Sequence, residues 1–521
     1  MSDATITYLV LAAAVVVFAW GRVPAAITAI GVALALWATG VLELEQALAG
    51  FGDPTVIFIA SLFVVSEGLD ATGVTAWAGQ KLIASAGESR TRLIVLTMAL
   101  VALLTALINV NGAVAALVPV VVVMAVRLGR PPSQLLLPLA FGAHAGSLLA
   151  LTGTPVNVIV SEAAANAGVG RFGFFAFALV GLPLVVGAIA IVTLLGERLL
   201  PSRTAQTIGP DLSGHARTLA RQYALDARPD ALVTRRTGVA EVVVPPRSEL
   251  VGRLAFPGMV TDSGELVILA VQRAGETLGP GETELAEGDV LLVRGTWSAL
   301  DEQLEDPSVL VVDPPALVRR QAVPLGPGAE RAIAVLAAMI VLLVTGAVPA
   351  AVAGLLAASA IVLFGLLTAE QAFRSISWTT VVLVGGMISL STAMVGTGAA
   401  QDLADRLVDL VGEAGPHVLL VALFVLTAAL GQVISNMATA LIVIPIALSA
   451  AADMDVSAKP VLMAVAVSAA ASFLTPIATP ANLMVMGPGG YRFGDYWRLG
   501  LPLLALFGVV AVLLVPVFWS F

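Results

Sequence analysis

The sequence contains no cysteine and only three histidines, His144, His215 and His417. The absence of cysteine excludes disulfide frameworks, thiolate metal sites, thiol nucleophiles and iron-sulfur clusters. The histidines lie far apart and no HExxH pattern is present, which argues against a zinc hydrolase. The formal charge of -9 argues against a nucleic-acid partner, because a phosphate backbone requires a basic surface.

Charged residues are also scarce. They make up 12% of 521 residues, whereas 59% are hydrophobic and the mean hydropathy is +0.99, values that exclude a soluble globular protein. Residues 203–331 hold 31 of the 61 charged residues and the other 392 positions hold 30, so this segment is predicted to be a water-soluble insert. The flanking sequences are predicted to be membrane domains.

Long apolar runs with few or no charges predict the membrane spans, because a helix needs about 20 apolar residues to cross a bilayer. The N-terminus has an acid in place of a basic region, so its first run is predicted to be a retained helix and not a signal peptide. The predicted spans lie at 5–20, 23–40, 55–73, 133–162, 174–197, 332–348, 350–368, 379–398, 460–487 and 498–519.

Two further uncharged runs, about 93–126 and about 417–452, are too long for one untilted span and too short for two. Each has a polar break near its centre. The breaks are Asn109-Val110-Asn111-Gly112 and Gln432-Val433-Ile434-Ser435-Asn436. Each run predicts a re-entrant hairpin with its tip at a site, because non-helical backbone at membrane depth is tolerated only inside protein or beside a water-filled cavity.

The spans that follow the hairpins are interrupted by Pro, Thr and Asn at 151–157 and 474–482, which predicts broken helices. These motifs also match one another. Glu45-Gln46-Ala47 recurs as Glu370-Gln371-Ala372, and Thr154-Pro155-x-Asn157 recurs as Thr479-Pro480-x-Asn482. The two members of each pair are separated by the same number of residues, the distance from position 45 to position 370. This distance is the repeat offset. A constant offset indicates an internal duplication.

Each copy holds five spans and one hairpin, and an odd number of crossings turns the second copy upside down. The predicted fold is therefore an all-α polytopic membrane protein, an inverted-repeat transporter with its site near the bilayer midplane, which carries a small α+β insert. The predicted boundaries are 1–200 for the first repeat, 201–231 for a linker, 232–314 for the insert, 315–331 for a second linker and 332–521 for the second repeat.

Basic residues in short loops predict the orientation. With the N-terminus outside, eleven Lys or Arg fall on the inner side and three, Arg171, Arg406 and Lys459, on the outer side. The chain is therefore predicted to lie in the inner (cytoplasmic) membrane with both termini outside and the insert in the cytoplasm.

The chemistry of the tips and breaks predicts their ligands. A helix N-terminus presents free backbone N–H groups to an anion without any buried Arg or Lys. Exposed carbonyls and the oxygens of Ser, Thr and Asn suit Na⁺. The tips and breaks offer both kinds of ligand and contain no Lys or Arg, which predicts sodium-coupled anion transport.

These paired tips and breaks resemble the divalent anion:sodium symporters (DASS) of the ion transporter superfamily, which carry dicarboxylates, citrate or sulfate. The resemblance covers both membrane halves and implies alternating access, Na⁺ as the coupling ion, no organic cofactor and a homodimer in the lipid membrane. The implied contacts to a small inorganic or carboxylate anion are Asn109, Asn111, Thr154, Pro155, Ser435, Asn436, Thr479 and Pro480. The implied sodium ligands are Asn109, Gly153, Asn157, Ser435, Asn436 and Asn482.

The sequence departs from the family pattern at three positions. Val110 stands where the family usually has Asn, Asn111 where it has Thr, and Met437 where the second copy has Thr. Since the family's Asn and Thr side chains contact carboxylates, these departures favour a smaller anion such as sulfate over a di- or tricarboxylate.

The insert resembles the RCK C-terminal (TrkA-C) domain. Its apolar runs alternate with Gly and Pro turns, which indicates a small α+β module. The resemblance rests on Leu250-Val251-Gly252-Arg253, Ile268–Arg273, Pro280–Leu285 and Gly288–Val293. Regulation by a small ligand, a dimer contact and a structural spacer all remain open for its role.

Other functions remain to be weighed. A Na⁺/H⁺ antiporter or arsenite-type efflux permease is the nearest alternative, and an antiporter should carry paired acids beside the tips. A gated ion channel with a cytoplasmic regulatory domain would need a continuous filter. An enzyme is disfavoured because no plausible pair of nucleophile and base is present. His144, before the first break, is either a contact for an anion or proton or a hydrogen-bonded packing residue.

Overall fold

The computed structural model describes residues 2–75, 77–78, 81, 89–203, 215–223, 232–234, 236–304, 306–315, 318, 325–326, 328–411 and 415–521. The chain divides into two compact units. One comprises Met1–Asp70, Lys81–Ile208 and Glu330–Phe521, and the other comprises Ala71–Gln80 and Gly209–Ala329. Parts of the predicted linkers, 201–231 and 315–331, lie outside the described residues, and a helix at His215–Gln222 lies within the first of them.

The first unit is helical, and most of its helices before the insert have a counterpart, in the same order, among those after it. The earlier helices are α1 (Asp3–Trp20), α2 (Ala25–Ala38), α3 (Leu44–Ala49), α4 (Pro54–Ala71), α5 (Arg90–Leu107), α6 (Val110–Arg127), α7 (Ser133–Gly146), α8 (Pro155–Asn166) and α9 (Ala178–Leu199). The second unit contributes α10 (His215–Gln222) and α11 (Trp297–Gln303). The later helices are α12 (Ala329–Thr345), α13 (Ala350–Leu363), α14 (Ala369–Ser375), α15 (Trp378–Gly396), α16 (Ala399–Val411), α17 (Pro416–Gly431), α18 (Asn436–Asp453), α19 (Ala458–Ala470), α20 (Pro480–Gly489), α21 (Tyr496–Val509) and α22 (Val515–Phe518).

The helix boundaries repeat with the offset found in the sequence. The first and last residues of α2 and α13 are related by the repeat offset. The first residues of α8 and α20 are related by the same offset. The last two begin alike because each has a Thr at its N-cap and a Pro in its first turn. A proline costs little there, since its missing N–H would have no intrahelical partner. The sequence match therefore extends to the residues that cap these two helices.

The two predicted hairpins correspond to the helix pairs α5–α6 and α17–α18. Helices α5 and α6 have 18 residues each, about 27 Å at 1.5 Å per residue. They are longer than the uncharged run predicted, because α5 begins at Arg90 and α6 ends at Arg127. The turns between the limbs, at 108–109 and 432–435, coincide with the predicted polar breaks.

The two predicted helix interruptions are present in the structure. In the first half α7 ends at Gly146, a 3-10 turn occupies Leu151–Gly153 and α8 begins at Pro155. In the second half non-helical chain separates Ala470 from Pro480. These non-helical segments are called the first break (147–154) and the second break (471–479) below.

Other helices differ from the prediction. Among the described residues, seven helices are long and apolar enough to cross a membrane. The short α3 and α14 and the amphipathic α16 were not predicted. Helix α16 carries Asp402, Asp405, Arg406 and Asp409, and a search for uncharged runs overlooks a helix with one charged face.

The second unit confirms a small α+β insert. Its strands are β1 (Thr237–Val243), β2 (Leu254–Ala255), β3 (Leu266–Arg273), β4 (Glu276–Thr277), β5 (Thr283–Glu284), β6 (Val290–Thr296) and β7 (Leu310–Val311). The main sheet has the antiparallel order β4-β3-β6-β1-β7. Alternate inward residues such as Ile268, Leu291 and Val293 form its core with Trp297 of α11. Arg273 at the end of β3 pairs with the fully buried carboxylate of Asp289.

The two halves of the helical unit interlock at α7. The Tyr491 hydroxyl, which follows α20, donates a hydrogen bond to the carbonyl of Ser133 and accepts one from the N–H of Leu137 at 2.8 Å. Phe141, one turn further along α7, packs edge-on against Phe473 of the second break, with ring centroids 5.0 Å apart. Helix α7 of the first half is thereby fixed against the break of the second half.

Candidate functional site

Four helices begin at one cavity of about 90 Å³ in the helical unit. They are α6 and α18, the second limbs of the hairpins, and α8 and α20, which follow the breaks. Their N-cap residues all line the cavity: Asn109, Thr154, Ser435 and Thr479. Each helix N-terminus carries roughly half a positive charge from the aligned peptide dipoles. The cavity is therefore electropositive, and none of its described lining residues is charged.

The hairpin helices leave backbone donors for a ligand. The Asn109 amide oxygen accepts from the N–H of Gly112 at 2.8 Å, and the Ser435 hydroxyl accepts from the N–H of Ala438 at 3.3 Å. These caps occupy only the third N–H of each helix. The first two N–H groups have no intrahelical partner, and the residues that carry them line the cavity: Val110, Asn111, Asn436 and Met437.

The helices after the breaks offer hydroxyl groups in place of most of these amides. Pro155 and Pro480 have no N–H, and both line the cavity. The Thr154 hydroxyl accepts from the N–H of Val156 at 3.4 Å, and the Thr479 hydroxyl accepts from the N–H of Asn482 at 3.3 Å. The breaks therefore present polar oxygens to the same cavity as the amides of the hairpins.

Most residues singled out from the sequence meet at this cavity. Those that line it are Asn109, Asn111, Gly153, Thr154, Pro155, Ser435, Asn436, Thr479 and Pro480. Asn157 and Asn482 are fully buried and are not among the residues that line it. The fold therefore brings two hairpin tips and two breaks to one cavity, and Asn157 and Asn482 are buried outside its lining.

The two buried asparagines hold the non-helical backbone of the breaks. The amide nitrogen of Asn157 donates to the carbonyls of Ser147 and Ala150, at 2.8 and 2.9 Å. The amide nitrogen of Asn482 donates to the carbonyls of Ser472 and Thr475, at 2.8 and 3.0 Å. Carbonyls that leave a helix inside protein need such partners, so each asparagine supports its own break.

His144 connects the first half to the second break. Its side chain is buried, and its Nε2 lies 3.1 Å from the Asn482 amide oxygen and 3.2 Å from the Thr479 hydroxyl. The ring stands edge-on to Phe473, with centroids 5.8 Å apart. His144 also lines the cavity. The sequence left its role open between packing and a contact with a solute, and the structure shows that the ring is hydrogen-bonded and also borders the cavity.

Two supporting residues, Ser66 and Ser472, were missed from the sequence, whereas Gln432 belongs to the predicted second polar break. The Ser472 hydroxyl donates to the Asn436 amide oxygen at 2.6 Å, and the Asn109 amide nitrogen donates to the Ser66 hydroxyl at 3.1 Å. Gln432 donates to the carbonyl of Ala471 and accepts from the N–H of Leu474. Ser472 could have been found, since the repeat offset relates it to Ser147 next to the break. Ser66 lies inside an ordinary span and had no such signal.

Comparisons with known proteins agree with a transporter fold. The citrate transporter family (CitMHS) matches residues 15–460 and 340–521. The chain is 31% identical to the "Uncharacterized transporter YfbS" of Escherichia coli K12, over 98% of both chains. It is 26% identical to "Sodium/sulfate cotransporter 1" of Chlamydomonas reinhardtii, over 56% of this chain and 34% of that protein.

A solved structure supports the architecture. The crystal structure of the YdaH transporter of Alcanivorax borkumensis superposes with a TM-score of 0.51 at 15% identity and covers 97% of this chain and 99% of its own. The family match and the apolar helices identify an integral membrane transport protein, not an enzyme. The chain belongs to the CitMHS citrate transporter family.

Proposed function

We propose that this protein takes up a small anion, sulfate or a di- or tricarboxylate, together with Na⁺ by alternating access. The observation that carries the proposal is the convergence of four helix N-termini on one cavity without a charged lining residue among those described. Such a site binds an anion through dipoles and N–H donors, which need no desolvated lysine or arginine.

Within this proposal the favoured anion is small. The cavity has a volume of about 90 Å³, whereas pockets for drug-sized ligands have roughly 300–1,000 Å³. The side chains of Val110 and Met437 add no polar group to it, although their N–H groups remain available. Sulfate, which accepts hydrogen bonds on all sides, suits backbone donors from two opposed hairpins. The sodium/sulfate cotransporters among the relatives support this choice.

The proposed sodium ligands are oxygens of the same tips and breaks: Asn109, Gly153 and Asn157 in the first half, and Ser435, Asn436 and Asn482 in the second. Backbone carbonyls of interrupted helices coordinate Na⁺ in other inverted-repeat transporters. The Asn157 amide oxygen is buried and has no hydrogen-bond partner among the described residues. A neighbouring cation would offset the charge of a bound anion, and this attraction couples the two solutes.

The proposed topology is that of an inverted repeat with both termini outside, the insert in the cytoplasm and the protein assembled as a homodimer in the inner membrane. The repeated helix boundaries support the duplication. We further propose that residues 232–314 form a regulatory module like the RCK C-terminal domain. Deletion of 205–328 with a short replacement linker should then change regulation and leave the choice of anion unaltered.

The absence of cysteine makes this topology testable without further engineering. Single cysteines at the exposed positions Arg22, Arg171 and Glu282 can be treated with a membrane-impermeant maleimide in intact cells. The proposal predicts labelling of Arg171→Cys from outside, and labelling of Arg22→Cys and Glu282→Cys only after the membrane is opened. Labelling of Glu282→Cys in intact cells would place the insert outside.

Other transport modes have weaker support. A Na⁺/H⁺ antiporter or an arsenite-type efflux permease remains the nearest alternative. None of the described residues that line the cavity is acidic, whereas exchange of Na⁺ for H⁺ requires a group that binds both ions in turn. A channel would pass ions down their gradient without accumulating them.

Uptake into proteoliposomes tests the proposal. Labelled sulfate, succinate and citrate are each supplied with an inward Na⁺ gradient, with an inward H⁺ gradient in choline, or with neither. We expect one anion, most readily sulfate, to accumulate above equilibrium only with Na⁺. Accumulation with H⁺ alone would remove sodium coupling, and flux that only equilibrates would favour a channel.

A further inference from the structure

The hydrogen bonds around Asn482 fix the state of the His144 ring. Because the Asn482 nitrogen donates to two carbonyls, its oxygen is the atom that faces His144 Nε2 at 3.1 Å. An amide oxygen only accepts hydrogen bonds, so Nε2 must carry a hydrogen. The network itself therefore assigns the tautomer of His144.

This tautomer in turn fixes the direction of the Thr479 hydroxyl. The hydroxyl oxygen accepts from the Asn482 N–H at 3.3 Å and lies 3.2 Å from His144 Nε2, which donates its single hydrogen to the hydroxyl and the Asn482 oxygen as a shared, bifurcated bond. A hydroxyl has two acceptor positions and one hydrogen. With both acceptor positions facing protein donors, the hydrogen is left for a partner in the cavity that Thr479 lines. Such a partner must accept a hydrogen bond, as an anion does.

The first half lacks this arrangement. The repeat offset relates His144 to Ala469, which offers no side-chain donor. The Thr154 hydroxyl accepts only from the N–H of Val156 among the described residues, so its oxygen retains a lone pair. The Asn157 oxygen likewise has no partner among them, whereas the Asn482 oxygen faces His144. The first break can thus donate oxygen lone pairs to a cation, and the second break presents a hydrogen.

We propose that His144 is a positioning residue that holds the Thr479 hydroxyl as a hydrogen-bond donor to the anion, a donor that the first break does not hold in this way. The inference rests on the proposed sodium-coupled uptake. According to this inference, the second break differs from the first because His144 contacts its threonine and its asparagine.

A double-mutant cycle tests this assignment. His144→Ala, Thr479→Val and the double variant are compared in proteoliposomes by KM for the anion, maximal rate and the Na⁺ concentration for half-maximal uptake. We expect each single change to raise KM about tenfold or more with the Na⁺ dependence shifted less than twofold. The double variant should be no worse than Thr479→Val, because His144 acts through that hydroxyl. Thr479→Ser, which keeps the hydroxyl, should restore uptake.

Two further variants keep the test decisive. His144→Gln retains an N–H donor and should bind the anion better than His144→Ala, and it serves if the alanine variant does not fold. Thr154→Val is the matched change in the first break, where no histidine holds the hydroxyl, and should raise KM for the anion less than Thr479→Val does. Thr427→Val is the control, since Thr427 is fully buried and its hydroxyl donates only within α17.

The outcomes separate the two proposals. If the native protein accumulates no anion with Na⁺, sodium-coupled uptake fails and this inference fails with it. If the native protein does accumulate an anion, additive losses in the double variant overturn the role of His144 alone. A shift of the Na⁺ dependence by His144→Ala in place of KM would do the same.

Discussion

Asn157 and Asn482, which occupy equivalent positions in the two copies of the repeat, make the same pair of hydrogen bonds. Each donates through its amide nitrogen to the carbonyls ten and seven residues before it, at 2.8 and 2.9 Å in the first half and at 2.8 and 3.0 Å in the second. Two copies of the duplicated sequence thus support their breaks in the same way. The copies differ at the amide oxygens. The Asn482 oxygen accepts a hydrogen bond from His144, whereas the Asn157 oxygen has no partner among the described residues.

Replacement of Asn482 by Asp should destabilise the helical unit. The carboxylate loses both N–H donors and faces two buried carbonyls, each of which costs about 1–3 kcal/mol when left without a partner. Thermal unfolding in detergent should show a clearly lower Tm than for the native protein. Asn166→Asp, an exposed change at the end of α8, is the control. Equal Tm values for the two variants would remove the supporting role of Asn482.

Replacement of Asn436 by Ala should abolish uptake with little loss of stability. Its oxygen accepts from Ser472 at 2.6 Å, which leaves its amide nitrogen as a donor at the cavity. We expect the uptake rate to fall at least tenfold while Tm stays within a few degrees of the native value. Asn166→Ala again serves as the control. Native rates in Asn436→Ala would exclude this side chain from the site.

Replacement of Tyr491 by Phe should loosen α7. The hydroxyl accepts a hydrogen bond from the N–H of Leu137 and donates one to the carbonyl of Ser133. Its loss leaves two buried backbone groups to find new partners, at a cost of about 1–3 kcal/mol. Thermal unfolding measures this loss against Tyr8→Phe, whose hydroxyl is only partly buried and bonds to Ala399 and Asp402. A smaller effect at Tyr491 than at Tyr8 would contradict the account.

Much of this fold follows from the sequence because a bilayer imposes simple rules. The tips at 108–109 and 432–435 and both breaks fall where polar and proline residues interrupt apolar runs. The constant offset pointed to the same residues twice. The amphipathic α16 was missed because it contains four charged residues, and a segment with that many charges is not detected as an apolar run.

The site was only partly predictable. The residues at the tips, such as Asn109 and Asn436, can be recognised in the sequence because they are polar and lie within apolar runs. The contact between His144 and Asn482 joins residues 338 positions apart in different halves, and nothing in the local pattern specifies it. The amide nitrogens of Asn157 and Asn482 donate to backbone carbonyls of the breaks. These bonds depend on the path of the backbone through the breaks, which the amino-acid composition does not predict.

Acid should weaken the insert near the ion pair of Arg273 and Asp289. The hydrogen bond from Arg273 lowers the pKa of the Asp289 carboxyl below its ordinary value, and the N–H of Ala286 adds to this effect. A carboxyl with a lowered folded pKa stabilises the fold above its unfolded pKa, roughly 3.9, and this contribution is lost as the pH falls through the folded value. The protection of β3 and β6 amides from hydrogen exchange, expressed relative to the intrinsic exchange rate at each pH, should therefore fall below about pH 4.

The variant Asp289→Asn should show this loss of protection already at pH 7, because the charge is absent at every pH. The control is Asp262→Asn, since the pair of Arg253 and Asp262 is exposed and such pairs contribute little. If exchange in the Asp289→Asn variant matched that in Asp262→Asn, the buried ion pair would not stabilise the sheet.

The most direct test of the account is the position of the transported anion in the protein. A cryo-electron microscopy structure in sodium and the anion that proteoliposomes accumulate should show density within about 3 Å of the backbone nitrogens at the starts of α6 and α18. Density for the anion at any other place, with this cavity occupied by water alone, would contradict it.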